Sequence, residues 1–568
     1  MIRKAAIMKL IATSKGHGVA RSQIGNTIIV LACIFSGLMF LFESHRITKV
    51  DPWIHNMDMD CFNLSDATLL NSNRPTFPMS QPGLPTMYTL ALAYRLAAAF
   101  GIIKTWSFQT LFATANPLLS YPALIAIGRL QSLVLAASLI GLGAATAWKL
   151  TGSWRAATLC LILLAGSDGV LFQSLIIRPE LLCALFGNIL AFYFVWTSTR
   201  ATSYSAYAGP LLISGVCVGL AVQNKMTGVA YLPALATFCI LNTRRRPLDL
   251  ADSAIQLDGR RREPTFLQRR SSELRLCFGP GAAMISAFAL LSFLTAHHSS
   301  LSSDDSTRYR IIAAVPMMAC LCAIPMLRLR WRFIAERLYD VSLLLSGLLL
   351  SLVLTFALLR LFLSGRTASD ELSSTLWTIL NAEQSVRAYA TNPHIFNDAK
   401  QFFNYDKVSI LLLLCLSVPV LIRRHNDDMT KRTLMILLLT ATGMMILMSK
   451  RYYATRYLIF TEVPISIALS LVCCRLCEAV ERRKIRFLSS SVFALVVLTA
   501  CLCTRMSKGA FAENYLRFSP DIGYEIDMMY RCGELDQHYR DALKTKYRSD
   551  AGFEHALRLM LQDPAPHQ

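Results

Sequence analysis

Apolar segments of bilayer length recur along most of this chain and are separated by short polar loops. A helix needs about 20 predominantly apolar residues to cross the hydrocarbon core of a membrane, and about 13 stretches come close to that length. Hydrophobic residues make up 54% of the 568 residues and charged residues only 16%, whereas soluble proteins carry about a quarter charged residues. We therefore predict an all-α polytopic membrane protein with spans at Ile24–Phe42, Ile127–Leu150, Arg155–Leu175, Leu181–Ser198, Gly209–Gln223, Met226–Leu241, Leu276–Ala296, Ile311–Leu327, Val341–Leu363, Val408–Ile422, Thr433–Met448, Tyr457–Cys474 and Phe487–Thr504.

Basic residues concentrate in a few of the loops between these segments. Lys and Arg are enriched in the cytoplasmic loops of membrane proteins, so we interpret the net charge of +21 as topology and not as a nucleic-acid footprint. Placing the basic loop 242–275 and the basic loops near 330, 428 and 484 in the cytoplasm lets the predicted spans alternate without conflict. The basic N-terminus, residues 1–23, is then also cytoplasmic. The loops 43–126 and 364–407 and the C-terminal region 505–568 fall on the outer face.

The segment Leu84–Phe100 is apolar enough to be a span, but counting it would reverse the side of every later loop. Tyr88, Tyr94 and Arg95 give it an amphipathic pattern. We predict an interfacial helix within the first outer loop. A further helix is expected near Leu372–Ala390 in the outer loop 364–407, and the C-terminal region 505–568 is expected to form a small outer-face domain.

Several function classes find no support in the sequence. There is no Walker loop and no GxGxxG following a strand, so a cytoplasmic nucleotide-sugar donor is disfavoured. The 16 cysteines fall mostly inside apolar segments, which favours buried packing over a disulfide framework or a zinc site.

The first outer loop carries the carboxylates that a reaction at a membrane surface would use. Asp58 and Asp60 lie just beyond the first span, and a proline-rich segment then returns the chain toward the bilayer. Taken alone, this loop fits a solvated acidic loop equally well. Gln81 and Tyr88, in and just after the returning segment, are further candidates for substrate binding.

Three outer turns carry basic residues on the face that the positive-inside rule expects to be poor in them. A single Lys or Arg at a helix end often only reaches toward the headgroups, but three such turns favour a cationic site for a lipid phosphate or pyrophosphate. With an aspartate to deprotonate an acceptor hydroxyl, such cations suit the transfer of a sugar from a lipid-phosphate carrier. The candidate residues in these turns are Arg178, Glu180, Lys225, Arg451, Tyr453 and Arg456.

Over most of residues 24–474 the sequence resembles the GT-C class of integral membrane glycosyltransferases, which includes protein O-mannosyltransferases and the aminoarabinose transferase of lipid A. The resemblance lies in the order of an acidic first outer loop and four motifs. These are Gln81-Pro-Gly-Leu-Pro85, Gly128-Arg129-Leu-Gln-Ser132, Gly215-Val-Cys-Val-Gly-Leu-Ala-Val-Gln-Asn-Lys-Met-Thr-Gly228 and Thr455-Arg-Tyr-Leu-Ile-Phe-Thr-Glu-Val-Pro464.

This resemblance implies a GT-C fold over residues 24–504 and an inverting transfer of a sugar from a polyprenyl-phosphate donor to a lipid, glycan or protein acceptor. It implies a catalytic aspartate at Asp58 or Asp60, donor-phosphate contacts from Lys225 and Arg456, and a cavity lined by Arg178 or Glu180. The sequence departs from the family in having Asp-Met-Asp where relatives often show adjacent acidic residues. Some relatives use a divalent metal ion and others do not, so the metal requirement stays open. The lipid carrier also implies a bacterial inner membrane with a periplasmic C-terminus.

Two other functions remain as alternatives. A transporter or flippase for lipid-linked glycans predicts broken helices and charges deep within spans, for which Asp168 is the one clear candidate. An O-antigen ligase or polymerase would place its main site in the late outer loop 364–407, around Arg387 and His394.

Overall fold

The computed structural model describes residues 57–76, 83–198, 204–225, 332–380, 428–448 and 458–482, together with single positions within 38–44 and 228–235 and at 552. These residues form a mostly helical structure, and no strand occurs among them. The α-helices are α1 (Met57–Leu70), α2 (Leu84–Ala99), α3 (Phe108–Ala113), α4 (Tyr121–Thr151), α5 (Trp154–Ala165), α6 (Asp168–Ser174), α7 (Pro179–Ala184), α8 (Phe192–Ser198), α9 (Tyr204–Asn224), α10 (Arg332–Leu359), α11 (Gly365–Leu380), α12 (Asp428–Met448) and α13 (Ile459–Arg482).

Within the described residues, four helical stretches are long and apolar enough to cross a membrane, and a bent pair makes a fifth if it counts as one span. The chain is an integral membrane protein. The total of about 13 spans stays a prediction, because segments such as 241–331 and 381–427 lie outside the described residues. The four stretches are Pro117–Thr151, Pro179–Ser198, Tyr207–Asn224 and Ile459–Ala479.

The bent pair falls where the sequence predicts the continuous span Arg155–Leu175. Helices α5 and α6 meet at an angle of 59°. Ser167 caps α6 by accepting a hydrogen bond from the Val170 amide at 3.0 Å, so the chain starts a new helix here. The Glu462 carboxylate of α13 accepts hydrogen bonds from the Ser167 hydroxyl and, at 3.0 Å, from the Gly169 amide. The length of the apolar segment does not report such a break, because apolar residues continue on both sides of it.

Helices α9 and α10 pack with their backbones almost in contact. A Cβ atom added to Gly215 would lie 2.1 Å from the carbonyl oxygen of Leu344, and one added to Gly347 would lie 2.0 Å from that of Leu212. Small residues at four-residue spacing allow this close approach between membrane helices. Packing of α9 on α10 fixes the end of α9, where Asn224 and Lys225 lie.

Helices α1, α2 and α3, from the predicted first outer loop, form a compact block that contacts the end of α10. Asn71 donates hydrogen bonds to the carbonyls of Ala91, at 3.0 Å, and Trp106, at 2.9 Å. Arg95 donates to Asn71 at 2.7 Å and to the Leu361 carbonyl at 3.0 Å. Helix α2 has 16 residues and leaves three large apolar side chains exposed, as an interfacial helix would: Leu92, Leu96 and Phe100.

Helix α11, in the outer loop 364–407, begins at Gly365 and is described to Leu380, earlier than the predicted Leu372–Ala390. Its Glu371 side chain contacts the first outer loop. The Thr76 amide donates to the Glu371 carboxylate at 2.9 Å, and the Thr76 hydroxyl donates to its other oxygen. The segment after α1 and helix α11 are therefore joined at this point. The C-terminal region 505–568 lies, apart from Gly552, outside the described residues.

Candidate active site

Asp60 lies on α1 and is completely buried. Its Oδ2 atom accepts a hydrogen bond from Arg129 Nε at 3.0 Å, and its Oδ1 atom accepts one from the Ile177 amide at 2.7 Å. Burial raises the pKa of Asp60 above its usual range, and the positive charges of Arg129 and Arg178 oppose that rise. Both carboxylate oxygens are therefore engaged by the protein itself.

Two residues of α1 hold the turn between α6 and α7 through hydrogen bonds to its backbone. Asn63, one helical turn after Asp60, donates a hydrogen bond to the Ile177 carbonyl at 2.8 Å. Asp60 and Asn63 thus bind the amide and the carbonyl of one residue, because positions three apart share a helix face. The Ile177 side chain packs on Gly128, where an added Cβ would lie 2.2 Å from Ile177 Cδ1. This explains Gly128-Arg129: the glycine makes room for Ile177 and the arginine pairs with Asp60.

Arg178 and Glu180, which follow Ile177 closely, form a buried cluster of charges with Lys225. Lys225 forms an ion pair with Oε1 of Glu180, and Arg178 Nη1 lies 3.8 Å from the same oxygen. The three side chains are at most 3% exposed. Arg178 precedes α7 in an extended conformation and Glu180 lies in its first turn. Two cations therefore converge on one carboxylate oxygen beside the Asp60 helix.

Asn224 joins the cluster to the start of α2. Its Oδ1 atom accepts hydrogen bonds from the amide of Thr86, at 3.0 Å, and from its hydroxyl, at 2.9 Å. Its Nδ2 atom donates to the Pro179 carbonyl, and its own carbonyl accepts from the Gly83 amide at 2.9 Å. One fully buried side chain thus fixes the N-termini of α2 and α7 next to Lys225.

The structure brings together four of the residues that the sequence singles out: Asp60, Arg178, Glu180 and Lys225. Tyr88 is buried in the apolar cluster that α2 forms with α1 and the end of α10. Asp58 belongs to α1, but its side chain lies outside the described part. The remaining candidates also lie outside the described residues: Gln81, Arg451, Tyr453 and Arg456.

Four residues that position this site were not among the sequence candidates: Asn63, Thr86, Arg129 and Asn224. Arg129 and Asn224 carry one usable signal, since a polar side chain within an apolar segment is costly unless it has a partner. Asn63 and Thr86 lie in polar or mixed sequence, where no such signal exists.

The described residues do not build a metal site. They contain no group of three or more His, Cys, Asp or Glu side chains placed to hold an ion. Both oxygens of Asp60 are taken by Arg129 and Ile177, and Glu180 is bound to two cations.

No family model matches this sequence, and no curated protein is similar to it. Among solved structures, the chain is similar to the archaeal oligosaccharyltransferase AglB from Archaeoglobus fulgidus in complex with an inhibitory peptide and a dolichol-phosphate. That similarity has 15% identity and a TM-score of 0.46 and covers 88% of this chain and 59% of the other.

A second structure of an Archaeoglobus fulgidus oligosaccharyltransferase, in complex with Zn and sulfate, shows 16% identity and a TM-score of 0.41 and is covered over 56% of its length. The chain thus spans less than two thirds of either protein. At these scores the likeness identifies neither a family nor an activity.

Proposed function

We propose that this protein is a membrane glycosyltransferase that moves a sugar from a polyprenyl-phosphate carrier to an acceptor hydroxyl at the outer face of its membrane. The observation that carries the proposal is the buried pair of cations, Arg178 and Lys225, beside the acidic first-loop helix. A cationic site at the end of apolar helices suits a ligand with a phosphate headgroup and a hydrocarbon tail. A water-soluble anion would need no such apolar surroundings.

The reaction is a single displacement at the anomeric carbon. A carboxylate removes the proton of the acceptor hydroxyl, whose oxygen then forms the new bond to the sugar. The bond between the anomeric carbon and the phosphate oxygen breaks, and the polyprenyl phosphate leaves with the electron pair. Arg178 and Lys225 stabilise the negative charge that develops on the leaving phosphate.

We assign the base to Asp58 and a positioning role to Asp60. Asp60 is fully buried and its two oxygens already accept from Arg129 and Ile177, whereas a general base must reach the proton it removes. Asp58 is the other acidic residue of the Asp-Met-Asp pair. The cations Arg451 and Arg456 and the polar residues Gln81, Tyr88 and Tyr453 are proposed to contact the substrates, with the acceptor a lipid, a glycan or a protein.

The direct test measures sugar transfer from labelled polyprenyl-phosphate sugars, hexoses and pentoses in parallel, into lipid and protein fractions of membranes. We expect D58N and K225Q to reduce transfer by about 100-fold or more, the usual loss when an acid–base group or a charge-stabilising donor is removed. The matched control is E478Q, because Glu478 forms an ion pair with Arg475 at 2.8 Å near the C-terminus of α13, outside the cluster. Transfer at the wild-type level by correctly inserted D58N would remove Asp58 as the base.

One observation favours a second candidate, a transporter of lipid-linked glycans. The span made of α5 and α6 is broken and bent by 59°, and the carboxylate of Glu462 binds at the break. Broken helices with polar groups at the break are typical of transporters. Movement of a fluorescent polyprenyl-phosphate glycan from one leaflet to the other in vesicles that contain the protein, without transfer of its sugar, would favour a transporter over a glycosyltransferase.

A further inference from the structure

The carboxylate of Glu180 occupies the place that the proposed function gives to the donor phosphate. Lys225 and Arg178 both approach its Oε1 atom, Arg178 at 3.8 Å. The Glu180 side chain is only 1% exposed. The protein thus supplies its own anion to the two cations.

A phosphate and a carboxylate compete directly for such a pair. Both offer oxygen acceptors to the Lys ammonium, as a point charge, and to the Arg guanidinium fork. In a buried site this competition is strong, because charges interact far more strongly there than in water. A phosphate that binds to Lys225 must therefore displace Glu180 or share the cation with it.

The other carboxylate oxygen of Glu180 does not anchor the side chain against such a displacement. Its Oε2 atom is buried and makes no hydrogen bond within the part of the chain that the structure describes. The carboxylate is thus held by Oε1, and turning away from the cations breaks no hydrogen bond of Oε2.

We propose that Glu180 is a built-in competitor for the lipid phosphate, which holds Arg178 and Lys225 between turnovers and returns to them as the product leaves. This role rests on the proposed function, and it makes Glu180 a residue that sets the affinity for the polyprenyl phosphate product. Without Glu180, two buried cations would retain the polyprenyl phosphate after the sugar has moved. Glu180 therefore weakens phosphate binding and speeds product release.

The test measures binding of farnesyl phosphate, a short single-phosphate prenyl lipid, to the purified full-length protein in detergent. E180Q keeps the shape of the side chain and removes its charge. We expect it to bind farnesyl phosphate more tightly than the wild type does, by a factor of about ten or more. The control E478Q removes the carboxylate of an ion pair outside the cluster and should bind farnesyl phosphate as tightly as the wild type does. In the transfer assay, E180Q should show a lower KM, a lower kcat and stronger inhibition by added polyprenyl phosphate.

The outcomes separate this proposal from the proposed function. Measurable binding to the wild type with equal or weaker binding to E180Q would overturn the competitor role alone. Binding to neither protein would overturn the phosphate site and the proposed function together. If E180Q does not fold, E180D takes its place, because it keeps the charge but shortens the reach to Lys225. Tighter binding by E180D supports the proposal, and unchanged or weaker binding overturns it.

Discussion

Arg129 and Asp60 form a buried ion pair, with Arg129 Nε 3.0 Å from Asp60 Oδ2 and side chains 8% and 0% exposed. The two residues lie on α4 and α1, so the pair fastens α1 to a helix long and apolar enough to cross a membrane. Removing one partner of a buried pair leaves an uncompensated charge and costs about 3–5 kcal/mol. We expect D60N to lower the free energy of unfolding by an amount in that range, measured by thermal or denaturant unfolding in detergent.

The companion variants show whether the loss comes from the pair. R129M combined with D60N removes both charges and should recover part of the stability that D60N loses. D58N should retain nearly the wild-type stability, since Asp58 is proposed to act in chemistry and not in packing. A D60N protein as stable as the wild type would contradict the ion pair as the fastening of α1.

Gly128 is required by the close approach of Ile177. G128A places a Cβ atom 2.2 Å from Ile177 Cδ1 and 2.8 Å from Cγ1, so Ile177 must shift, and its amide is the donor to Asp60. We expect a loss of about 1–3 kcal/mol, typical of overpacking, and a several-fold loss of sugar transfer. G141A is the matched control in the same helix, because among the described residues no atom outside the helix's own backbone and the adjacent residues lies within 4 Å of its added Cβ. Equal effects of the two substitutions would exclude the packing explanation.

The contact between the outer loops is expected to depend on pH through Glu371. Burial raises the pKa of Glu371 from 4.5 to about 7, Asp370 adds to the rise, and the hydrogen bonds from Thr76 oppose it. Because the folded pKa is raised, the fold favours the protonated acid. Its stabilising contribution is fully present below about pH 4.5 and is lost as the pH rises through about 7. The loss is at most about 3 kcal/mol, at 1.36 kcal/mol per pKa unit.

Unfolding midpoints measured from pH 4.5 to pH 8 check this dependence. E371Q has no ionisable group at this position, so its stability should vary less than that of the wild type over the same range. The difference between the two proteins should grow as the pH rises. Parallel curves for wild type and E371Q would contradict the raised pKa.

The sequence predicted several of the apolar helices and the cations of the site, but not the contacts that assemble them. Apolar segment lengths and arginine-rich loops are local properties, which is why α4 and α9 fall on predicted spans. Arg178, Glu180 and Lys225 stand out because charges next to apolar segments are rare. The pairing of Asp60 with Arg129 joins residues 69 positions apart, and no periodicity encodes a contact of that kind. The break at Ser167 was missed although Gly166-Ser167-Asp168-Gly169 carries a local turn and helix-start signal, whereas its contact with Glu462, 295 positions away, has no local signal.

Asn224 should act as a positioning residue for the cation cluster. N224A removes the acceptor for the Thr86 amide and hydroxyl and the donor to the Pro179 carbonyl. Each buried group left unsatisfied costs about 1–3 kcal/mol, and the starts of α2 and α7 lose their common anchor. We expect reduced stability and a higher KM for the lipid-phosphate donor, with a smaller effect on kcat.

The control for N224A is Q131A, which removes another hydrogen bond to α2, from Gln131 Nε2 to the Thr89 hydroxyl at 2.9 Å, outside the cluster. Q131A should leave the donor KM unchanged. A donor KM that rises equally in both variants would point to a general effect of loosening α2 instead of a role for Asn224 at the phosphate.

Glu462 should hold the bend between α5 and α6. Its carboxylate accepts from the Gly169 amide at 3.0 Å and from the Ser167 hydroxyl, and so satisfies groups at the start of α6 that have no partner within the helix. E462A leaves these donors unsatisfied, so we expect a loss of about 1–3 kcal/mol in unfolding experiments, whereas E462Q retains an acceptor oxygen and should lose less. If the bend serves only the fold, sugar transfer per folded molecule should be similar in E462Q and the wild type. A transporter would instead lose flipping in E462Q by more than its loss of stability explains, because a break that moves during transport depends on the charge and not only on the hydrogen bonds.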